Sequence, residues 1–133
     1  MIHKMYCIFA RESLDKINGV RGKLATQAGH AYLHAFWDSE QRFRSYYGGL
    51  GGDNPGPSDL YKASERAYKI TLVVDTVDEL KAIQAKYKDI CGTSLVTDAG
   101  FTVFKEPTTT CLGLGPISEY HIGDDLESLK TLT

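Results

Sequence analysis

Apolar positions along the chain follow two periods. Met5 to Phe9 and Tyr68 to Val74 are short, nearly continuous apolar runs bounded by polar or turn-forming residues, the pattern of strands covered on both faces. Ser94 to Thr97 and Thr109 to Leu114 add two segments rich in Thr, Val and Leu, which suit a pleated surface. After the first strand the spacing changes: Leu24, Ala28, Ala31, Tyr32 and Ala35 recur at i, i+4, i+7, i+8 and i+11, so Gly22 to Trp37 is predicted to be an amphipathic helix. A second helix is predicted after Asp75 or Thr76, with Val77, Leu80, Ile83 and Tyr87 on one side and Thr76 and Glu79 at capping-box spacing. Gly92 closes the turn beyond it. A last helix is predicted from Gly115-Pro116 through Ile122 and Leu126 towards Leu129, since proline is tolerated in a first turn, although Gly123 weakens it.

Strands alternating with helices predict an α/β domain of three layers, a four-stranded mixed sheet flanked by helices on both faces. The last two strands are joined too briefly for a helical crossover, which makes the sheet mixed rather than parallel. The run from Tyr46 to Pro57, Tyr-Tyr-Gly-Gly-Leu-Gly-Gly-Asp-Asn-Pro-Gly-Pro, breaks both periods and is read as a Gly/Pro-rich loop at about 46–58 within a single domain covering 1–133. Loop punctuation accounts for its glycines better than a phosphate-cradling role, because no Lys-Ser/Thr pair follows and no strand leads directly into it.

Composition narrows the classes. A chain of 133 residues is long enough for one core, and 42% hydrophobic with 24% charged residues excludes a disordered or fibrous protein. The start of the chain is too short for a signal peptide and no apolar run is long enough to span a bilayer, so a cytoplasmic protein without a membrane partner is expected. Cys7, Cys91 and Cys111 are odd in number and form no CxxC pair, which points to small buried thiols rather than a disulfide framework or zinc knuckle. A net charge of −2 argues against coating nucleic acid by bulk attraction. The charge is uneven, however: residues 1–25 carry Lys4, Arg11, Lys16, Arg21 and Lys23 against Glu12 and Asp15, while 117–133 are acidic. A phosphate-binding rim near the first loop and an ordinary solvated surface both fit that asymmetry.

Candidate chemistry gathers on the polar side of the first helix, where Lys23, Gln27, His30 and His34 follow at steps of four, three and four. A solvated helix face explains such a stripe equally well. Lys23, however, follows Gly22 at the helix start, where free backbone N–H groups and the positive dipole end already favour an anion. His30 and His34 have metal-chelating spacing, but no acidic or thiol partner lies in the neighbouring motif, so no metal and no cofactor is expected. His30 fits better as a proton-transfer or hydrogen-bonding group, since an unperturbed histidine titrates near pH 6.5. Asp98-Ala-Gly100 ends a predicted strand, where a carboxylate can act as base, orient a better base, or simply form a turn before glycine.

Taken in order, Arg21-Gly-Lys-Leu-Ala-Thr-Gln-Ala-Gly-His-Ala31, Asp98-Ala-Gly-Phe-Thr102 and Thr110-Cys-Leu-Gly-Leu-Gly-Pro116 resemble the second, archaeal and eukaryotic, type of peptidyl-tRNA hydrolase over nearly the whole chain. The resemblance implies a metal-free hydrolase, often a homodimer, acting on peptidyl-tRNA that has left the ribosome. It implies catalytic roles for Lys23, His30, Asp98, Thr102 and Thr110, and substrate-binding roles for Arg11, Arg21, Gln27, Gly100 and Gly113. Phe101 stands where the family usually has a basic residue and Val103 where it has glutamine. A non-catalytic module that binds tRNA or a protein on the same fold is the alternative reading.

Overall fold

The computed structural model describes residues 2–17, 20–43, 55–100 and 105–133. Its elements are β1 (His3–Ala10), α1 (Arg11–Leu14), α2 (Arg21–Phe43), α3 (Pro57–Ala63), β2 (Lys69–Val74), α4 (Val77–Tyr87), β3 (Thr93–Asp98), β4 (Thr108–Ser118), α5 (Asp124–Glu127) and β5 (Lys130–Thr131). The strands form one open mixed sheet in the order β3-β4-β1-β2-β5. β1 and β2 are parallel, as the intervening helix requires, and the β3–β4, β4–β1 and β2–β5 pairs are antiparallel.

β1 reads as an unbroken apolar run because it lies inside the sheet and is covered on both faces. Tyr6, Ile8 and Ala10 join Leu72, Val74 and Leu112 in a cluster that takes Leu80 and Tyr87 from α4. Cys7 and Phe9 point the other way and join Cys111, Val96 and Ala31 of α2, with Leu24, Ala28 and Tyr32 at the margin. α2 lies unusually close to the sheet. Its buried residues Gln27, Ala31, Ala35, Ser39 and Phe43 form an i, i+4 row that is small through its middle. Facing it is Gly113 of β4, where an added Cβ would stand 2.0 Å from the Ala31 carbonyl oxygen. A glycine is therefore required at this crossing by contact rather than by backbone angle.

The four predicted strands are present, and a fifth joins them. β5 is two residues long, pairing Lys130 with Val73 and Thr131 with Leu72, too short to carry any period. The predicted C-terminal helix is corrected more thoroughly. β4 runs on through Gly115 and Pro116 to Ser118, where Ile117 and Ser118 pair with Lys4 and His3 of β1 across a register shift. Gly115 sits at φ 120°, a conformation glycine tolerates. Beyond it only a 3₁₀ turn at Glu119–His121 and the short α-helix Asp124–Glu127 are helical. The second predicted helix stands, with the Thr76 hydroxyl accepting from the Glu79 N–H at 3.2 Å. The first is longer than its apolar stripe, reaching Phe43. Of the predicted loop at 46–58, positions 46–54 lie outside the described residues, and its end is helical instead. Pro57 opens α3, and the Asp59 carboxylate accepts the Gly56 N–H at 3.1 Å. Cys7, Cys91 and Cys111 are all buried and free.

Candidate active site

The close approach of α2 to the sheet sets its first two turns against the ends of β3 and β4. Asp98 is the last residue of β3 and is 7% exposed; Gln27, in the second turn of α2, is 3% exposed, and Thr110 on β4 is fully buried. Lys23 forms an ion pair with Asp98 Oδ2. The Gln27 amide donates to the same oxygen at 3.3 Å, and its carbonyl accepts the Thr110 hydroxyl at 2.7 Å. The amide orientation follows from the charge: its NH₂ must face the carboxylate, so its oxygen is left for Thr110. Asp98 Oδ1 accepts the Gly100 N–H at 2.8 Å, and Gly100 takes φ 88° in that turn. The turn-forming and the chemical readings of Asp98 thus hold together, one for each oxygen.

The result is a chain of polar groups, Thr110 to Gln27 to Asp98 to Lys23, that ties one helix to two strands. Beneath it the Cys111 thiol donates to the Gln27 backbone carbonyl at 3.6 Å. Among the described residues no buried side-chain nitrogen or oxygen is left without a partner. The Lys23 hydrogen bond, helped by the Gly100 N–H, holds the Asp98 carboxyl below the usual carboxylate range against the opposing effect of burial. Asp98 is consequently ionised at neutral pH, better suited to orienting water than to keeping its proton.

The other sequence-selected residues divide by place. Gly100 is bonded to Asp98 and so belongs to this network, whereas Gly113 lies under α2 against the Ala31 backbone. Arg11 and Arg21 come together at a separate cavity of about 260 Å³ beside the start of α2, which Asp15 and Thr133 also line. His30 is exposed one turn beyond Gln27, its ring edge-on to His34 at 5.8 Å. Thr102, Phe101 and Val103 lie outside the described residues. Among the described residues no three His, Cys, Asp or Glu side chains converge.

Sequence reasoning placed Gln27 on a polar helix face as a supporting residue, whereas it is the buried hinge of the network. The available signal was its position four residues before Ala31, at the head of the small-residue row. Ser13, buried in α1 and donating to the Thr109 carbonyl at 2.6 Å, had no such signal.

These residues lie on segments that a known family shares. The sequence matches the family model described as Peptidyl-tRNA hydrolase PTH2 over residues 3–132. The chain belongs to this family. Similar proteins named peptidyl-tRNA hydrolase occur in Methanothermobacter thermautotrophicus, at 33% identity over 84% of this chain and 88% of the relative, and in Thermoplasma acidophilum, at 31% identity over 90% and 89%. A third, from Methanocaldococcus jannaschii, is 28% identical over 84% of this chain and 88% of its own length. As a member of the peptidyl-tRNA hydrolase PTH2 family, the chain has Lys23, Gln27, Asp98 and Thr110 within the matched region.

Proposed function

We propose that the Lys23–Asp98 centre hydrolyses the ester joining a peptide to the 3′-terminal ribose of tRNA. The observation that carries this reading is the buried network itself, a carboxylate and an ammonium fixed by Gln27 and Thr110 in a chain of the peptidyl-tRNA hydrolase PTH2 family.

A carboxylate accepts about four hydrogen bonds. Lys23, Gln27 and Gly100 supply three, which leaves capacity for a water between Asp98 and the ester. The water oxygen bonds to the carbonyl carbon, the carbonyl oxygen takes the negative charge, and one water proton is given up towards Asp98 or His30. Lys23 has three N–H donors and shares them between Asp98 and that oxyanion. Collapse breaks the bond from carbon to the ribose oxygen, which takes the proton, releasing a peptide acid and tRNA with a free hydroxyl. Gln27 and Thr110 are positioning residues in this scheme: the Thr110 hydroxyl is turned inward and acts through Gln27. His30, exposed about one turn after Gln27 on α2, and Thr102 assist proton transfer in this scheme. Arg11 and Arg21 hold tRNA phosphate at their shared cavity. Among the described residues no helix is long and apolar enough to cross a membrane, and the reading takes the enzyme as cytoplasmic, with a homodimer as its assembly.

The test is release of tRNA from a purified N-acetyl-aminoacyl-tRNA in the presence of chelator. Release at an undiminished rate supports a metal-free ester hydrolase; binding of tRNA with no release sinks the reading. Lys23→Ala separates its two possible duties. Slow cleavage at saturating substrate marks oxyanion stabilisation, and weakened tRNA binding with normal cleavage marks a phosphate contact.

A further inference from the structure

The row that begins at the catalytic centre continues along α2. Lys23, Gln27, His30, His34 and Trp37 succeed one another at steps of four, three, four and three, the repeat that keeps residues on one side of a helix. The first two dip into the site, and the last three are exposed aromatic rings in contact. His30 and His34 stand edge to face with centroids 5.8 Å apart, and His34 and Trp37 are 5.4 Å apart at 32°. Trp37 is the only tryptophan in the chain, and it is 54% exposed. Gln41 beyond Trp37 and Thr26 before His30 are polar and exposed, while Leu33, 45% exposed between His30 and Trp37, adds one apolar side chain along the edge of this aromatic ladder.

We infer that His30, His34 and Trp37 are a stacking surface for the unpaired 3′ nucleotides of the tRNA. This rests on the reading that Lys23 and Asp98 cleave the ester. From His30 to Trp37 the helix rises about 10 Å, the height of roughly three stacked bases. A tRNA whose terminal ribose lies at the centre must lead its preceding unpaired nucleotides away over the adjoining surface, and the ladder begins one turn from Gln27. The peptide half of the substrate varies in sequence from one molecule to the next, whereas the 3′ end of tRNA does not. Aromatic rings stack on any base through its π-face.

The single tryptophan is its own probe. Excited selectively, Trp37 fluorescence is expected to be quenched by intact deacylated tRNA and by the trinucleotide CCA, and little affected by tRNA trimmed of its last three nucleotides. Trp37→Ala is expected to weaken binding of intact tRNA about fivefold or more, and Trp37→Phe to restore most of it. Equal quenching by intact and trimmed tRNA, quenching by N-acetylated peptides instead, or fluorescence that responds only to protein concentration, as a second copy covering the ring would give, overturns the inference. Normal tRNA release with no quenching overturns the ladder and leaves the hydrolase intact. Selective quenching without any release upholds the ladder and overturns the hydrolase.

Discussion

Thr110→Val preserves the shape of a fully buried side chain and deletes one hydrogen bond, which makes it the sharpest probe of how the site is held. The Gln27 carbonyl oxygen, in a residue 3% exposed, loses its 2.7 Å donor. An unsatisfied buried acceptor is destabilising by about 1–3 kcal/mol. For a domain of this size each kcal/mol lowers Tm by about 3–5 °C, so a fall of about 5–10 °C is expected. Gln27→Met removes both ends of the amide, the acceptor for Thr110 and a 3.3 Å donor to the Asp98 carboxylate. Thr110 keeps the poorer Val96 carbonyl at 3.4 Å and the weak Cys111 sulfur at 3.7 Å, and the expected loss is about 3 kcal/mol, since hydrogen bonds to charged groups are worth about 1.5–3 kcal/mol. Once either partner is gone the other has less to lose. The double variant should therefore be more stable than the sum of the singles predicts, by about 1 kcal/mol. Urea unfolding with equal m-values across the four proteins measures this directly. Additivity within about 0.5 kcal/mol would refute the claim that the Thr110–Gln27 bond supports the site.

Other outcomes follow from the same geometry. Asp98 has a folded-state pKa below its unfolded value, so its contribution to stability is complete above about pH 4 and fades as the pH falls through the lower folded value. The stability gap between wild type and Asp98→Asn, from urea unfolding, should be wide at pH 7 and narrow at pH 3; a gap that widens in acid would reverse the assignment. Gly113→Ala drives a methyl into the Ala31 carbonyl at 2.0 Å, backbone against backbone, and should cost about 3 kcal/mol or prevent folding. Gly29→Ala is the control on the outer side of the same helix, where nothing lies within 4 Å. It should raise stability by about 0.5–1 kcal/mol in thermal melts.

Where the chain carries its own local signal, the sequence was readable. β1, β2 and α4 follow from an apolar run, a second apolar run and a Thr76 cap, and all three stand where the pattern put them. Errors fall where pairing partners are distant. Gly115 and Pro116 look like punctuation, yet β1 has unpaired backbone at His3 and Lys4 that Ile117 and Ser118 satisfy, and that demand is invisible from residues 115–129. α3 was hidden differently: Pro57 and Asp59 are sound helix-start residues, masked by the glycines and prolines before them. At the site, Lys23, Gln27 and Asp98 were legible as residue types and spacing. What spacing on a helix cannot distinguish is a solvated polar residue from a buried one with polar partners. That is why Gln27 and His30, three residues apart, read alike and end in opposite environments.

The most direct measurement of the central claim is the single-turnover rate of Asp98→Asn on saturating N-acetyl-aminoacyl-tRNA, beside wild type, with tRNA binding followed in parallel. Asparagine retains the shape and loses the charge that pairs with Lys23 and that the proposed mechanism uses to orient water. The account predicts a rate lower by about 10²–10⁴ with tRNA still bound. A folded Asp98→Asn protein that cleaves within tenfold of wild type would contradict it and move the chemistry away from Asp98.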